Sequence, residues 1–188
     1  MVPNIQCSFR KADFDKIIKR LDNFLDKTTI RKIIQRSAKR AASAGVTETK
    51  RRLSAETTLK PAEIGKTLTV YGGNSGAIGM LISDTARPLS DFAFTPKKPK
   101  PKTAPIIEVL KGEKKVLNKG AFVAKMKSGH IGIYERDAEE SLPIGQLPGP
   151  STTGMFKANE DVNSAVQDKI FETFEERVEH ELEYILSQ

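Results

Sequence analysis

Few residues of this chain are equipped for covalent chemistry. There is one cysteine, Cys7, and there are two histidines, His130 and His180. Among the serines, Ser151 stands in a glycine-bounded segment, Gly149-Pro150-Ser151-Thr152-Thr153-Gly154. A nucleophilic serine needs a base within hydrogen-bond reach, and a Gly-x-Ser-x-Gly elbow is the turn that presents it. This segment lacks that pattern, so the residues give a hydrolase using Ser151 or His130 little support. His130 opens a strand-like run after a turn, and His180 stands among Glu179, Glu181 and Glu183, where solvent is its expected neighbour. A single cysteine excludes an intrachain disulfide and a cysteine-rich metal site, and isolated histidines do not make a zinc centre. Gly72-Gly73-Asn74-Ser75-Gly76 fits neither the dinucleotide fingerprint nor the P-loop and reads as a hairpin turn. The expectation is no enzyme, with no catalytic, metal or cofactor-binding residue.

Charge is the chemistry this chain has in quantity. Residues 1–60 carry 15 basic and 6 acidic side chains, residues 61–130 carry 12 and 5, and residues 131–188 carry 4 and 13. Asymmetry of this kind reports on partners, although a solvated face is the bland alternative. Lys97, Lys98, Lys100 and Lys102 alternate with prolines in Thr95-Pro96-Lys97-Lys98-Pro99-Lys100-Pro101-Lys102. Three missing amide donors and four repelling cations predict an extended, mobile loop over 95–103. Such lysines suit a phosphate backbone or an acidic partner, because those contacts need charge and reach but little geometry. A solubilising loop and a nuclear import tag are the other readings of the run. No aromatic residue interleaves with the lysines, so base stacking is not expected there.

The elements that must position these groups follow from periodicity. Phe14, Ile17, Ile18, Leu21, Phe24 and Leu25 have helical spacing and predict a first helix over about Ala12 to Asp26. Thr28 or Thr29 offers the N-cap of a second, through Ile30, Ile33, Ile34, Ala38, Ala41, Ala42 and Val46 to about residue 56. At 1.5 Å per residue that second helix spans roughly 40 Å. Its middle face, Ser37, Ala38, Ala41, Ala42 and Gly45, is small enough for another backbone to approach, while Arg36, Arg40 and Lys50 lie on a basic back. A helical turn with Pro61 first and Gly65 last comes next.

Short β-branched runs then predict strands at 68–71, 78–82, 106–110, 121–126 and 130–134, with Lys127-Ser128-Gly129 as a hairpin connection. The proline- and glycine-rich stretch 142–151 predicts no regular structure, and Cys7 a frayed terminus. From Asn159 the helical period returns, apolar at Val162, Val166, Ile170, Phe174, Val178, Leu182 and Ile185, with Glu172, Glu176 and Glu179 on an acidic back. The expected architecture is one α+β domain over 1–188. It has a helical part at 12–56, a central, mainly antiparallel sheet of four to five strands at 66–136, and a C-terminal helix at 159–186. No apolar run approaches the ~20 residues of a membrane span, and the first residues lack the order of a signal peptide.

One ordered series carries a resemblance. Arg87-Pro88-Leu89-Ser90-Asp91-Phe92 is followed by Val109-Leu110-Lys111-Gly112-Glu113, Gly120-Ala121-Phe122-Val123-Ala124 and Lys127-Ser128-Gly129-His130. Tyr134-Glu135-Arg136, Leu142-Pro143-Ile144, Gly149-Pro150-Ser151 and Met155-Phe156 complete it. The series, with the basic alanine-rich second helix before it, resembles the prophage minor tail protein Z family and related tail-completion proteins of long-tailed phages. The resemblance implies a virion structural protein at the head-proximal end of the tail, made in the host bacterial cytoplasm. It implies tail completion or head–tail joining, and tube, terminator or connector proteins as partners. It brings no catalytic residues.

Charge and resemblance then meet in self-association. A basic face with Arg36, Arg40 and Lys50 on one copy would meet Glu172, Glu176 and Glu179 on the next, in a head-to-tail interface able to close into a ring. The alternative is a basic, sequence-independent nucleic-acid-binding protein using the lysine loop.

Overall fold

The computed structural model describes residues 4–8, 19, 25–72, 78–84, 86–100, 103–118, 120–136 and 143–187. The first predicted helix, over 12–26, lies almost wholly outside the described residues, as do Lys102 and most of the turn at 72–76.

Two long helices form the spine. Helix α1 runs Lys27–Glu56, and its N-cap is Asp26 rather than a threonine. The Asp26 carboxylate accepts from the amides of Thr28 at 2.8 Å and Thr29 at 3.0 Å, so a charged acceptor satisfies donors the first turn leaves orphaned. α1 ends where Thr57 turns extended and its hydroxyl donates to the Leu53 carbonyl at 2.7 Å. The helix-turn after it, α2, runs Pro61–Gly65 as the proline predicts. The last helix, α4, runs Glu160–Leu186, capped by the Asn159 side chain on the Val162 amide at 3.0 Å.

α1 and α4 pack antiparallel. Arg36 reaches Glu181 at 3.3 Å near one end, Gly45 faces Ile170 in the middle, and the Asn159 amide donates to Glu56 at the other end. Ile33, Ala38, Ala41, Ala42 and Leu53 on α1 and Val162, Val166, Ile170, Phe174 and Val178 on α4 are all buried. Gly45 is where the small face proves necessary. A Cβ there would stand 2.6 Å from Ile170 and 3.7 Å from the Met80 sulfur, so helix, helix and strand meet over one hydrogen atom.

The β part is not one central sheet. Among the described residues there are three three-stranded sheets and one two-stranded ribbon, all antiparallel. Strand β1 (Asn4–Ser8), where a frayed terminus was expected, pairs with β3 (Gly79–Ser83), which also pairs with β2 (Leu68–Tyr71). β3 lies against α1, burying Met80 and Ile82. β4 (Arg87–Pro88) leads through a 3-10 turn, Leu89–Asp91, into β5 (Ala93–Thr95). β5 pairs with β6 (Ile106–Glu108), and β6 with β7 (Lys114–Val116). β8 (Phe122–Lys125) and β9 (Ile131–Arg136) form the predicted hairpin, with Gly129 at φ +87° in its turn.

The 142–151 stretch, expected to be irregular, supplies two short strands. β10 (Ile144–Gln146) pairs with β9, and β11 (Pro148–Gly149) pairs with β4. Helix α3 (Thr152–Ala158) follows, with Phe156 fully buried. Proline and glycine fit here because strands of two or three residues at a sheet edge leave few ladder bonds to lose. The coarse expectation of long N-terminal helix, antiparallel strands and long C-terminal helix stands; the single sheet of four to five strands is replaced by these small ones.

Candidate functional site

The predicted chemical residues do not converge. Ser151 is the N-cap of α3, its hydroxyl accepting from the Gly154 amide at 3.0 Å. His130 is exposed, with its Nε2 3.3 Å from Gln146 Nε2, and Gln146 donates in turn to Ser90 at 3.2 Å. No hydrogen bond links His130 to Ser151 among the described residues, and His180 is exposed on α4. Also among those residues, no group of three or more His, Cys, Asp or Glu is placed to hold a metal, and no helix is long and apolar enough to cross a membrane.

A polar cluster that the spacing did not reveal lies beneath β4. The Asp84 carboxylate accepts from the Thr152 amide at 2.6 Å, the Thr153 amide at 3.0 Å and the Thr153 hydroxyl at 2.8 Å. Arg87 Nε stands 3.3 Å from Asp84 and 3.1 Å from the Thr152 hydroxyl. Its Nη2 donates to the Glu63 carbonyl at 2.9 Å, and Nη1 faces Asp91 at 3.7 Å. The Arg87 and Asp84 side chains are only 9 % and 8 % exposed, so an unpaired charge there would be costly. Burial by itself raises the Asp84 carboxyl, but the amides and hydroxyls of Thr153 and Thr152 outweigh it and hold the group below the usual aspartate value.

With Arg87 and Asp84 both engaged, the cluster ties α2, β3, β4, the 3-10 turn and α3 together. Its chemistry is cohesion. The available signal was the pairing of two segments already conspicuous in sequence, Arg87–Phe92 and Gly149–Phe156, which β4–β11 pairing and the Arg87–Thr152 hydrogen bond bring together.

The lysine loop leaves the end of β5. Lys97, Lys98 and Lys100 are exposed residues, and the Lys97 ammonium sits 3.9 Å above the Phe94 ring. Burial, then the charge of Lys60, hold Lys97 below the ordinary lysine value. The expected interface residues are scattered in role. Arg36 is joined to Glu181 of its own chain, Arg40 is exposed, and Lys50 lines a shallow groove of about 370 Å³ with Thr47, Arg51, Pro61, Ala62 and Gly65. Glu172 pairs with Lys169 at 2.7 Å, while Glu176 and Glu179 are exposed. Beside them, Glu48 takes bonds from Arg51 at 2.5 Å and Arg52 at 2.7 Å, which lower its pKa to about 2. Compared with protein-family models, curated proteins and solved structures, the chain finds no match in any of the three.

Proposed function

We propose that this chain is a structural component of a phage or prophage tail, made in the bacterial cytoplasm and acting in tail completion or head–tail joining without catalysis. It does so by associating with its own copies and with neighbouring tail proteins, of the tube, terminator or connector kind. The observation that carries the reading is the use made of the resembling segments. Arg87–Phe92 and Gly149–Phe156 are spent on a buried cluster that holds the fold, as a scaffold protein requires. The second reading is a sequence-independent nucleic-acid-binding protein, favoured by the exposed Lys98 and Lys100.

Deletion of the gene, with complementation, tests the proposal. Particles from the deletion strain should lack joined tails, and wild-type protein should restore them. A variant carrying H130A, H180A and Ser151→Asp should restore them equally. Aspartate removes the nucleophile yet keeps a capping acceptor, whereas alanine at a cap costs about 1 kcal/mol and would confuse folding with chemistry. Normal particles from the deletion strain, or failure of a folded triple variant to complement, would overturn it.

A further inference from the structure

The large apolar side chains most exposed among the described residues fall in two places. Ile106, Leu110 and Val116 are 37 %, 41 % and 69 % exposed, on or beside the β5–β6–β7 sheet. Tyr184 and Leu186 are 58 % and 75 % exposed, at the end of α4. The two surroundings are opposite in charge. Ile106 and Val116 are register partners, so they share the outer face of the sheet with Lys114, two residues from Val116. Thr95 pairs with Ile106, so the loop bearing Lys97, Lys98 and Lys100 leaves the sheet at that same end. Glu108, the acid on this face, is occupied by the Gly112 amide at 2.8 Å. On α4, Glu172, Glu176, Glu179, Glu183 and Leu186 follow one another at four- and three-residue steps, so they form one exposed stripe away from the buried one.

We infer that the outer face of β5–β6–β7 docks the acidic stripe and apolar tip of α4 from a second copy of this chain. The inference rests on the self-association in the function proposed above and gives the acidic stripe a different basic counterpart. Arg36 is already engaged by Glu181 within the chain, and Lys50 lies along Gly65, whereas the sheet sets lysines beside exposed apolar side chains that can receive the apolar tip of α4. Lysines on the β7 edge disfavour addition of another strand, which makes a helix laid across the face the better occupant. Because the two patches differ, the first contact leaves one sheet face and one helix stripe unused on the pair, and the interface propagates head to tail until a ring closes.

Two variants and their mixture test this by sedimentation velocity at concentrations up to near-millimolar. The first, V116D with K114E, spoils only the sheet face; the second, E176Q, E179Q and E183Q with L186S, spoils only the helix stripe and leaves it without a charge that could attract the first. All these positions are exposed, and matching thermal unfolding curves establish that both fold. Wild type should form species larger than a pair that disperse as salt rises, and each variant should sediment as a monomer. An equimolar mixture should give a pair with one chain of each kind and nothing larger, because one good patch of each type remains. Wild type monomeric throughout, variants that still assemble, or a mixture that stays monomeric overturns the inference. So does loss of duplex-DNA binding in the first variant with assembly unchanged, which assigns the face to nucleic acid. Presence in tail particles is read separately: a chain found in particles without this docking leaves the function standing and removes only the interface.

Discussion

The helix pair and the strand-rich part of this molecule are held together by different means. α1 and α4 meet along a seam of alanines, valines and one glycine, where removal of apolar surface from water and close packing supply the stability. The strands number two to six residues each, and their buried residues, among them Met80, Ile82, Phe94, Ile107 and Ile133, join the helices in one core rather than forming a second. Their positions depend on pairings between distant segments and on the Asp84–Arg87 cluster, in which ionised groups replace apolar ones at the join. The lesson is that a long helix carries its own instructions, while short strands take theirs from neighbours far along the chain.

If the seam is apolar, truncation there should have the largest effect. Phe174 is completely buried, and Phe174→Ala should destabilise by about 3–5 kcal/mol, the range for losing a core phenylalanine and leaving a cavity. Urea unfolding followed by circular dichroism measures it. The cluster should come next. Arg87→Met leaves the Glu63 carbonyl and the Asp84 carboxylate without their cation, at a cost of about 3 kcal/mol, the low end for breaking a buried pair. Asp84 keeps its bonds from Thr152 and Thr153, which limits the loss. Proteolysis should then cut the strand-rich part of this variant before the helix pair, whereas Phe174→Ala should loosen both.

Filling the seam should matter less than emptying it. Gly45→Val forces Ile170 and Met80 aside and should destabilise by about 1–3 kcal/mol through overpacking. An unchanged unfolding midpoint would mean that α4 slides freely on α1.

These contrasts also explain what the residues revealed in advance. The apolar period of four from Val162 to Val178 and the small face around Gly45 made both long helices legible, and Pro61 with Gly65 marked α2. Asn159 was legible as the start of α4 because the apolar period resumes just after it, whereas the short helix α3 that it also ends was not. Strands such as Arg87–Pro88 and Pro148–Gly149 were not, since two residues have no period and proline argues against a ladder. Asp84 was equally silent. Its meaning comes from amides 68 and 69 residues away, a relation that no local spacing encodes.

The smallest expected effect is on acid stability, where both regions contribute with the same sign. Glu48 on α1 has its pKa lowered from 4.5 to about 2 by hydrogen bonds from Arg51 and Arg52. A depressed carboxyl stabilises the fold above its unfolded value and loses that contribution as pH falls through the folded value. For Glu48 the window is between pH 4.5 and about 2. Asp84 behaves likewise below its ordinary 3.8. Glu48→Gln should flatten the stability–pH curve across that window by lowering stability above pH 4.5, and only modestly, because the exposed Arg51 and Arg52 are screened by solvent. A curve as steep as wild type would remove Glu48 from the account.

The function rests finally on where the chain resides. Electron cryo-microscopy of tail particles purified from the producing bacterium, compared with particles from the deletion strain, tests this most directly. The account predicts density at the head-proximal end of the tail that is present only with the gene. The antiparallel α1–α4 pair should fit that density, with β5–β6–β7 of one copy against α4 of the next. Particles identical with and without the gene, and a chain recovered instead with cellular DNA, would contradict it.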